Sequence, residues 1–280
     1  MKSIKYFDMP KCAAVALCAM AFGVGSANAG DVLNKITKTK ELKVATNSDY
    51  KPMTFMNANN ELDGFDVDVA KEIGKRMGAK VSFVTPGWEI MSAGRWSGRW
   101  DIVVGSMTPT QKRTEVLNFP AVYYFTPAAF AVHKNSKAKV IADLNGKTLG
   151  VVGASTFHNY LEKKLLLNAV GMPKFEYQVT PANIRTYGDV NELEELALGD
   201  GVRLDGVLQA LPIIKSAIDK GLPLRQLGKP VFYEPLAIAT DKGDKELDDK
   251  LSSVVGAMRT DGTMKKLSEK WFGMDYSTAE

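Results

Sequence analysis

The stretch that decides the fold runs from Leu42 to Gly105. It opens with Leu42-Lys-Val-Ala-Thr46, an alternating run that reads as a strand. A polar loop with Pro52 follows, and Gly64-Phe65 introduces a helical pattern. There Val67, Val69, Ala70, Ile73 and Met77 recur at helix spacing and stop at Gly78. Lys80-Val-Ser-Phe-Val84 is a second strand, a shorter helix is expected between Trp88 and Arg99, and Trp100-Asp-Ile-Val-Val-Gly105 is a third strand. Strand, helix, strand, helix, strand in that order predicts a parallel sheet covered by helices.

The pattern then repeats. Ala128–Val132, Lys147–Val152, Phe175–Val179 and Leu204–Leu208 read as strands, and Phe157–Val170, Asn191–Leu198 and Ala210–Lys220 as helices. That makes a second α/β unit with a sheet of its own. Leu236–Ala239 is one more strand. From Asp244 to Trp271, Leu247, Leu251, Val254, Val255, Met258 and Leu267 keep helical spacing, broken at Gly262. This end has no sheet of its own and is expected to pack back onto the first unit. Two α/β lobes joined by extended crossings predict a cleft between them, where small-molecule sites tend to lie.

Composition agrees with a globular chain. Of 280 residues, 45% are hydrophobic and 24% charged, which excludes a disordered tail protein or a coiled coil. The net charge of +4 is mild, and no Lys/Arg stripe interleaves with aromatics, so no nucleic-acid partner is expected. Residues 1–29 read as a secretory signal peptide. Lys2, Lys5 and Lys11 precede an apolar run from Cys12 to Val24, and Ser26-Ala-Asn-Ala29 offers a cleavage site after Ala29. A buried N-terminal helix is the plainer alternative. Both cysteines, Cys12 and Cys18, lie inside this segment, so the chain from Gly30 has no disulfide and no thiol chemistry.

The densest polar constellation is Gly105-Ser106-Met107-Thr108-Pro109-Thr110-Gln111-Lys112-Arg113, just past the carboxyl end of the third strand. Hydroxyls at Ser106 and Thr108 with the planar fork of Arg113 suit a carboxylate. Arg113 could equally serve a surface helix. Gly153-Ala154-Ser155-Thr156 holds the corresponding place in the second lobe, as an anion site or simply a helix cap. Tyr50, Phe55 and Trp88 lie in or near loops after strands and could stack on a ligand. His133 and His158 are not spaced as a metal motif, no metal or cofactor is expected, and no hydrolase or nucleotide-binding signature occurs.

At this point the chain resembles the polar amino-acid-binding family of bacterial extracellular solute-binding proteins of ABC importers. The residues that carry the resemblance are Leu42-Lys-Val-Ala-Thr-Asn-Ser-Asp-Tyr50-Lys-Pro52, Leu62-Asp-Gly64-Phe65-Asp66-Val-Asp68-Val-Ala70, Trp100-Asp101-Ile, Met107–Arg113, Asn118-Phe-Pro120 and Met258–Gly273. The resemblance implies a type II periplasmic binding protein fold, α/β, with two lobes that close like a Venus flytrap. Lobe one would take residues 30–132 plus 234–280 and lobe two 133–233, with crossings near Val132–Lys134 and Val231–Glu234. It also implies a monomer in the periplasm that hands a carboxylate-bearing, amino-acid-like ligand to a membrane permease, and no enzymatic activity.

In that family the Arg that ends the segment matched by Met107–Arg113 grips the ligand carboxylate, which falls on Arg113. Ser106, Thr108, Ser155 and Thr156 resemble the supporting donors. Tyr50, Trp88 and Phe55 resemble pocket aromatics, and Asn47 a polar position that is often acidic where ligands are basic. The family's usual Asp for the α-ammonium falls on Ala210. Either Glu234, at the second crossing, replaces it, or the ligand is not a standard amino acid. The resemblance extends to exported dehydratases of the cyclohexadienyl type, in which case Glu234 would be the acid. A sensory domain is a third reading.

Overall fold

A computed structural model describes residues 30–167, 175–188 and 191–278. The expected signal peptide and residues 168–170 of the helix read over 157–170 lie outside them. The strand Glu41–Ala45 pairs in parallel with Lys80–Val84 on one side and Ile102–Met107 on the other. The intervening helix, Phe65–Met77, ends at Gly78, whose φ of 65° is the left-handed turn that glycine makes without strain. Gly64 starts it at φ 127°, with the backbone oxygen of Met53 only 2.3 Å from where a Cβ would stand, so no other residue fits there.

The second half has the same plan. Thr148–Val152 pairs in parallel with Gly206–Ala210 and with Asn183–Tyr187. Each half secures a strand start with one aspartate. Asp101 accepts from the Lys43 backbone N–H at 2.9 Å, and Asp205 accepts from that of Thr148 at 2.8 Å. Asp205 is therefore structural.

Two strands longer than the sequence patterns suggest, Leu117–His133 and Leu224–Asp241, pair antiparallel and run through both halves. They merge what read as two sheets into one eight-stranded hydrogen-bonded order. Partners change along them. Ala128–Ala131 pairs with Val207–Ala210 of the second half, whereas Ala237–Thr240 pairs with the first-half strand Ile102–Met107. On the first long strand, pairing with the second half begins at Ala128. Glu234 stands opposite Thr126 at this changeover.

Two other readings need correction. Phe175–Val179 is not a strand: Tyr160 donates its hydroxyl to the Glu176 carbonyl at 2.9 Å and accepts the Gln178 N–H at 3.0 Å, so those backbone groups are satisfied without a ladder. The helices expected over 88–99 and 157–170 are short, Trp88–Ser92 and Thr156–Leu161. The C-terminal helices Lys245–Thr260 and Thr263–Phe272 do return to the first lobe, where Phe272 and Phe65 have ring centroids 4.9 Å apart. No helix among the described residues is long and apolar enough to cross a membrane.

Candidate functional site

A cavity of about 260 Å³ lies where the two half-sheets meet. Segments at and just past the ends of first-lobe strands supply Asn47, Tyr50, Trp88, Ser106, Thr108 and Arg113 to its wall. The second lobe supplies Ser155, Thr156 and Gln209, and the crossing strand supplies Glu234. Nine of the ten residues singled out from sequence thus line one space. Phe55 does not. It sits on a small separate sheet, edge-on to Trp271 at 6.0 Å and beneath the Lys51 ammonium at 4.5 Å.

Arg113 is 6% exposed. Its Nη1 donates to the Thr108 carbonyl at 3.0 Å and its Nη2 to the Ala154 carbonyl of the other lobe at 3.1 Å. The guanidinium lies 4.9 Å from the centre of the Trp88 ring, a cation–π arrangement. Burial lowers its pKa to about 10, with the Glu234 charge opposing, so it stays cationic at neutral pH.

Glu234, 3% exposed, accepts at Oε1 from the hydroxyl of Thr108 at 3.0 Å and from that of Thr156. One hydroxyl comes from each lobe. Burial pushes its carboxyl up to about 7 against the pull of those hydroxyls and of Arg113. Thr108 stands between the two charged groups, with its carbonyl on Arg113 and its hydroxyl on Glu234.

Ser106 is turned differently from the sequence expectation. Its hydroxyl donates to Asp66 at 2.7 Å and lies 2.5 Å from the Tyr124 hydroxyl, while its N–H donates to the Tyr123 hydroxyl at 3.0 Å. Both donors point into the first lobe. The network keeps Ser106 at φ 54°, a left-handed conformation that costs a non-glycine residue energy. Asp66 at its centre is fully buried, and burial raises its carboxyl to about 7 despite hydrogen bonds from Tyr123, Ser106 and Thr54. Ser155 caps the helix that follows it, accepting the His158 N–H at 3.1 Å. Asn47 donates to the Gly105 carbonyl at 3.2 Å.

Sequence reasoning missed Gln209 and Glu192. Gln209 lines the cavity beside Ala210, which is buried and absent from its wall. The strand alternation that turns position 210 away could have suggested its neighbour. Glu192 gave no signal, since it reads as one more acid on a solvated helix. Among the described residues no group of His, Cys, Asp and Glu could hold a metal ion.

Residues 42–274 match the family described as bacterial extracellular solute-binding proteins, family 3. The chain is 28% identical over 251 residues to the L-cystine-binding protein TcyJ of Escherichia coli (strain K12), covering 87% of each. It is 30% identical over 262 residues to the L-cystine-binding protein TcyA of Bacillus subtilis (strain 168), covering 90% of this chain and 88% of the other. Among solved structures it resembles the ancestral amino acid-binding protein AncCDT-1, a precursor of cyclohexadienyl dehydratase. That match has a TM-score of 0.73 and 29% identity, over 86% of this chain and 99% of the other. Two α/β lobes, a cavity at their junction and a family match that spans nearly the whole described chain lead to one assignment: the protein is a member of the family 3 bacterial extracellular solute-binding proteins.

Proposed function

We propose that the cavity binds an amino-acid-like zwitterion in the periplasm and delivers it unchanged to an ABC permease. The observation that carries this reading is the placement of Arg113 and Glu234 on either side of Thr108 in one buried cavity. Arg113 takes the ligand carboxylate. Glu234 takes the ammonium, in place of the aspartate that Ala210 lacks. A buried ammonium without a counter-charge would be costly, and Glu234 supplies one. Thr156 and Ser155 close the head group from the second lobe, while Tyr50, Trp88 and Asn47 shape the rest. The lobes are residues 30–126 plus 234–280 and residues 128–233, a division supported by the partner change along the long strands.

Calorimetric titration of the ligand-stripped chain with the standard L-amino acids and L-cystine tests this. At least one amino acid should bind and be recovered unchanged. Arg113→Lys, which keeps the charge and loses the fork, should raise Kd about 30-fold or more. Binding only of carboxylates without an ammonium would sink the proposal.

One observation favours a second reading. A buried carboxyl near pKa 7 can act as a general acid at neutral pH, and Glu234 has that property. Loss of water and carbon dioxide from prephenate, followed by mass spectrometry, tests the dehydratase alternative. Turnover abolished by Glu234→Gln would establish it.

A further inference from the structure

A chain of hydrogen bonds with fixed direction crosses the cleft. The backbone N–H of Ala210 can only donate, and it donates to Gln209 Oε1 at 2.8 Å. The Nε2 of the same amide donates at 2.8 Å to Oε1 of Glu192, which is fully buried. Two independent partners thus lock the carboxamide with its oxygen facing Tyr50. The Tyr50 hydroxyl reaches that oxygen from the other lobe at 3.3 Å and must be the donor. A phenol has a single hydrogen, so only acceptor capacity remains on the Tyr50 oxygen.

Two further facts narrow what that oxygen can do. Burial raises the Tyr50 pKa well above the usual phenol value, with the charges of Glu234, Glu192 and Asp66 adding to it, so the group stays neutral. Tyr50 and Glu234 both line the cavity, so the neutral acceptor and the carboxylate face the same ligand space. A carboxylate alone attracts any cation. An oxygen in the same cavity that can only accept rewards a cation that still carries N–H donors.

We infer that Tyr50, held in orientation by Gln209 and Glu192, is a specificity-determining residue that selects ligands whose charged nitrogen bears hydrogens over their fully alkylated counterparts. Gln209 and Glu192 are positioning residues in this scheme. The inference rests on the proposed head-group placement at Arg113 and Glu234, and it adds the nitrogen substitution that the site accepts.

The test titrates the ligand-stripped full chain with the standard L-amino acids and L-cystine, then with the Nα-trimethyl derivative of the tightest binder. The parent chain should bind the trimethyl form about 30-fold more weakly or worse. Tyr50→Phe keeps the ring and removes the oxygen. It should weaken the primary amine about tenfold and leave the trimethyl form unchanged, so that the ratio collapses. Gln209→Met keeps the phenol but frees its hydrogen to turn toward the ligand, and it should lower the ratio too. Damage to the fold would weaken both ligands alike and leave the ratio where it was. An unchanged ratio in Tyr50→Phe overturns the inference. If Arg113→Lys meanwhile weakens both forms, the cleft reading survives that result; if no α-amino acid binds, both fall.

Discussion

Arg113 donates from Nη1 to its own lobe, at Thr108, and from Nη2 to the opposite lobe, at Ala154, 3.0 and 3.1 Å away. One guanidinium therefore fastens the cleft from inside. Its neighbour Glu234 does the same through Thr108 and Thr156. The groups proposed to hold the ligand also hold the lobes together, so ligand contact and closure are expected to depend on shared atoms.

Charge in this cluster makes stability depend on pH in an unusual direction. Burial raises the folded-state pKa of both Glu234 and Asp66 to about 7, from ordinary values of 4.5 and 3.8. Between those limits the folded chain holds more protons than the unfolded one. The stabilisation is complete below about pH 4 and is lost as pH rises through 7, at up to about 1.4 kcal/mol per pH unit for each group. Chemical denaturation of the ligand-free chain from pH 5 to 8 should show stability falling, and Glu234→Gln should remove about half the slope. Ligand affinity should move the opposite way, rising over the same range as an ammonium favours ionised Glu234. Titrations in buffers of different ionisation enthalpy should detect proton release near pH 6.

The rim of the cleft offers a second handle. The N–H of Gln111 donates to the Leu166 carbonyl at 3.2 Å, and Thr110 bridges to Leu167, both across the lobes. Gln111 is the first residue of its short helix, a position where proline fits, and Thr110 is already extended at φ −87°, ψ 157°, as a residue before proline must be. Gln111→Pro should therefore delete one interlobe bond and leave the helix intact. The expected outcome is a larger radius of gyration by small-angle scattering without ligand, a few-fold rise in Kd, and little change in thermal midpoint.

Phe55 provides the contrast. Its edge-on contact with Trp271 and the Lys51 ammonium above it are features of the first lobe's exterior. Phe55→Leu should cost about 1 kcal/mol of stability and alter ligand affinity less than twofold. A tenfold rise in Kd at unchanged stability would return Phe55 to the binding site.

How much of this was legible in the sequence differs from element to element. The strands and helix between Leu42 and Gly105 could be read because their burial is one-sided and their ends carry glycine. The sequence patterns stop short of the two long strands because Pro120, Pro127, Pro230 and Pro235 punctuate them; Pro120 and Pro230 fall at register shifts, while Pro127 and Pro235 pair in register just before further partners begin at Ala128 and Ala237. Asn183–Tyr187 was overlooked because it is a polar edge strand with little buried surface, and the aromatic alternation of Phe175–Val179 drew the assignment instead. The cavity residues were found through their place after strand ends. Orientation was less legible: nothing in the sequence tells that the Ser106 hydroxyl turns inward to Asp66, whereas strand alternation alone would have pointed to Gln209 in place of Ala210.

The two long strands also dictate an order of assembly. Residues 128–233 are continuous in the chain, so the second lobe can close its contacts as soon as that segment is available. The first lobe cannot, because Leu117–Phe125 waits for Pro235–Asp241, more than a hundred residues later. Contacts so far apart in sequence form slowly. In pulsed hydrogen exchange during refolding, amides of Thr148–Val152 and Gly206–Ala210 should gain protection before those of Ile102–Met107. On that order the chain would first hold one closed half with two open ends, and the strand Pro235–Asp241 would complete the cavity.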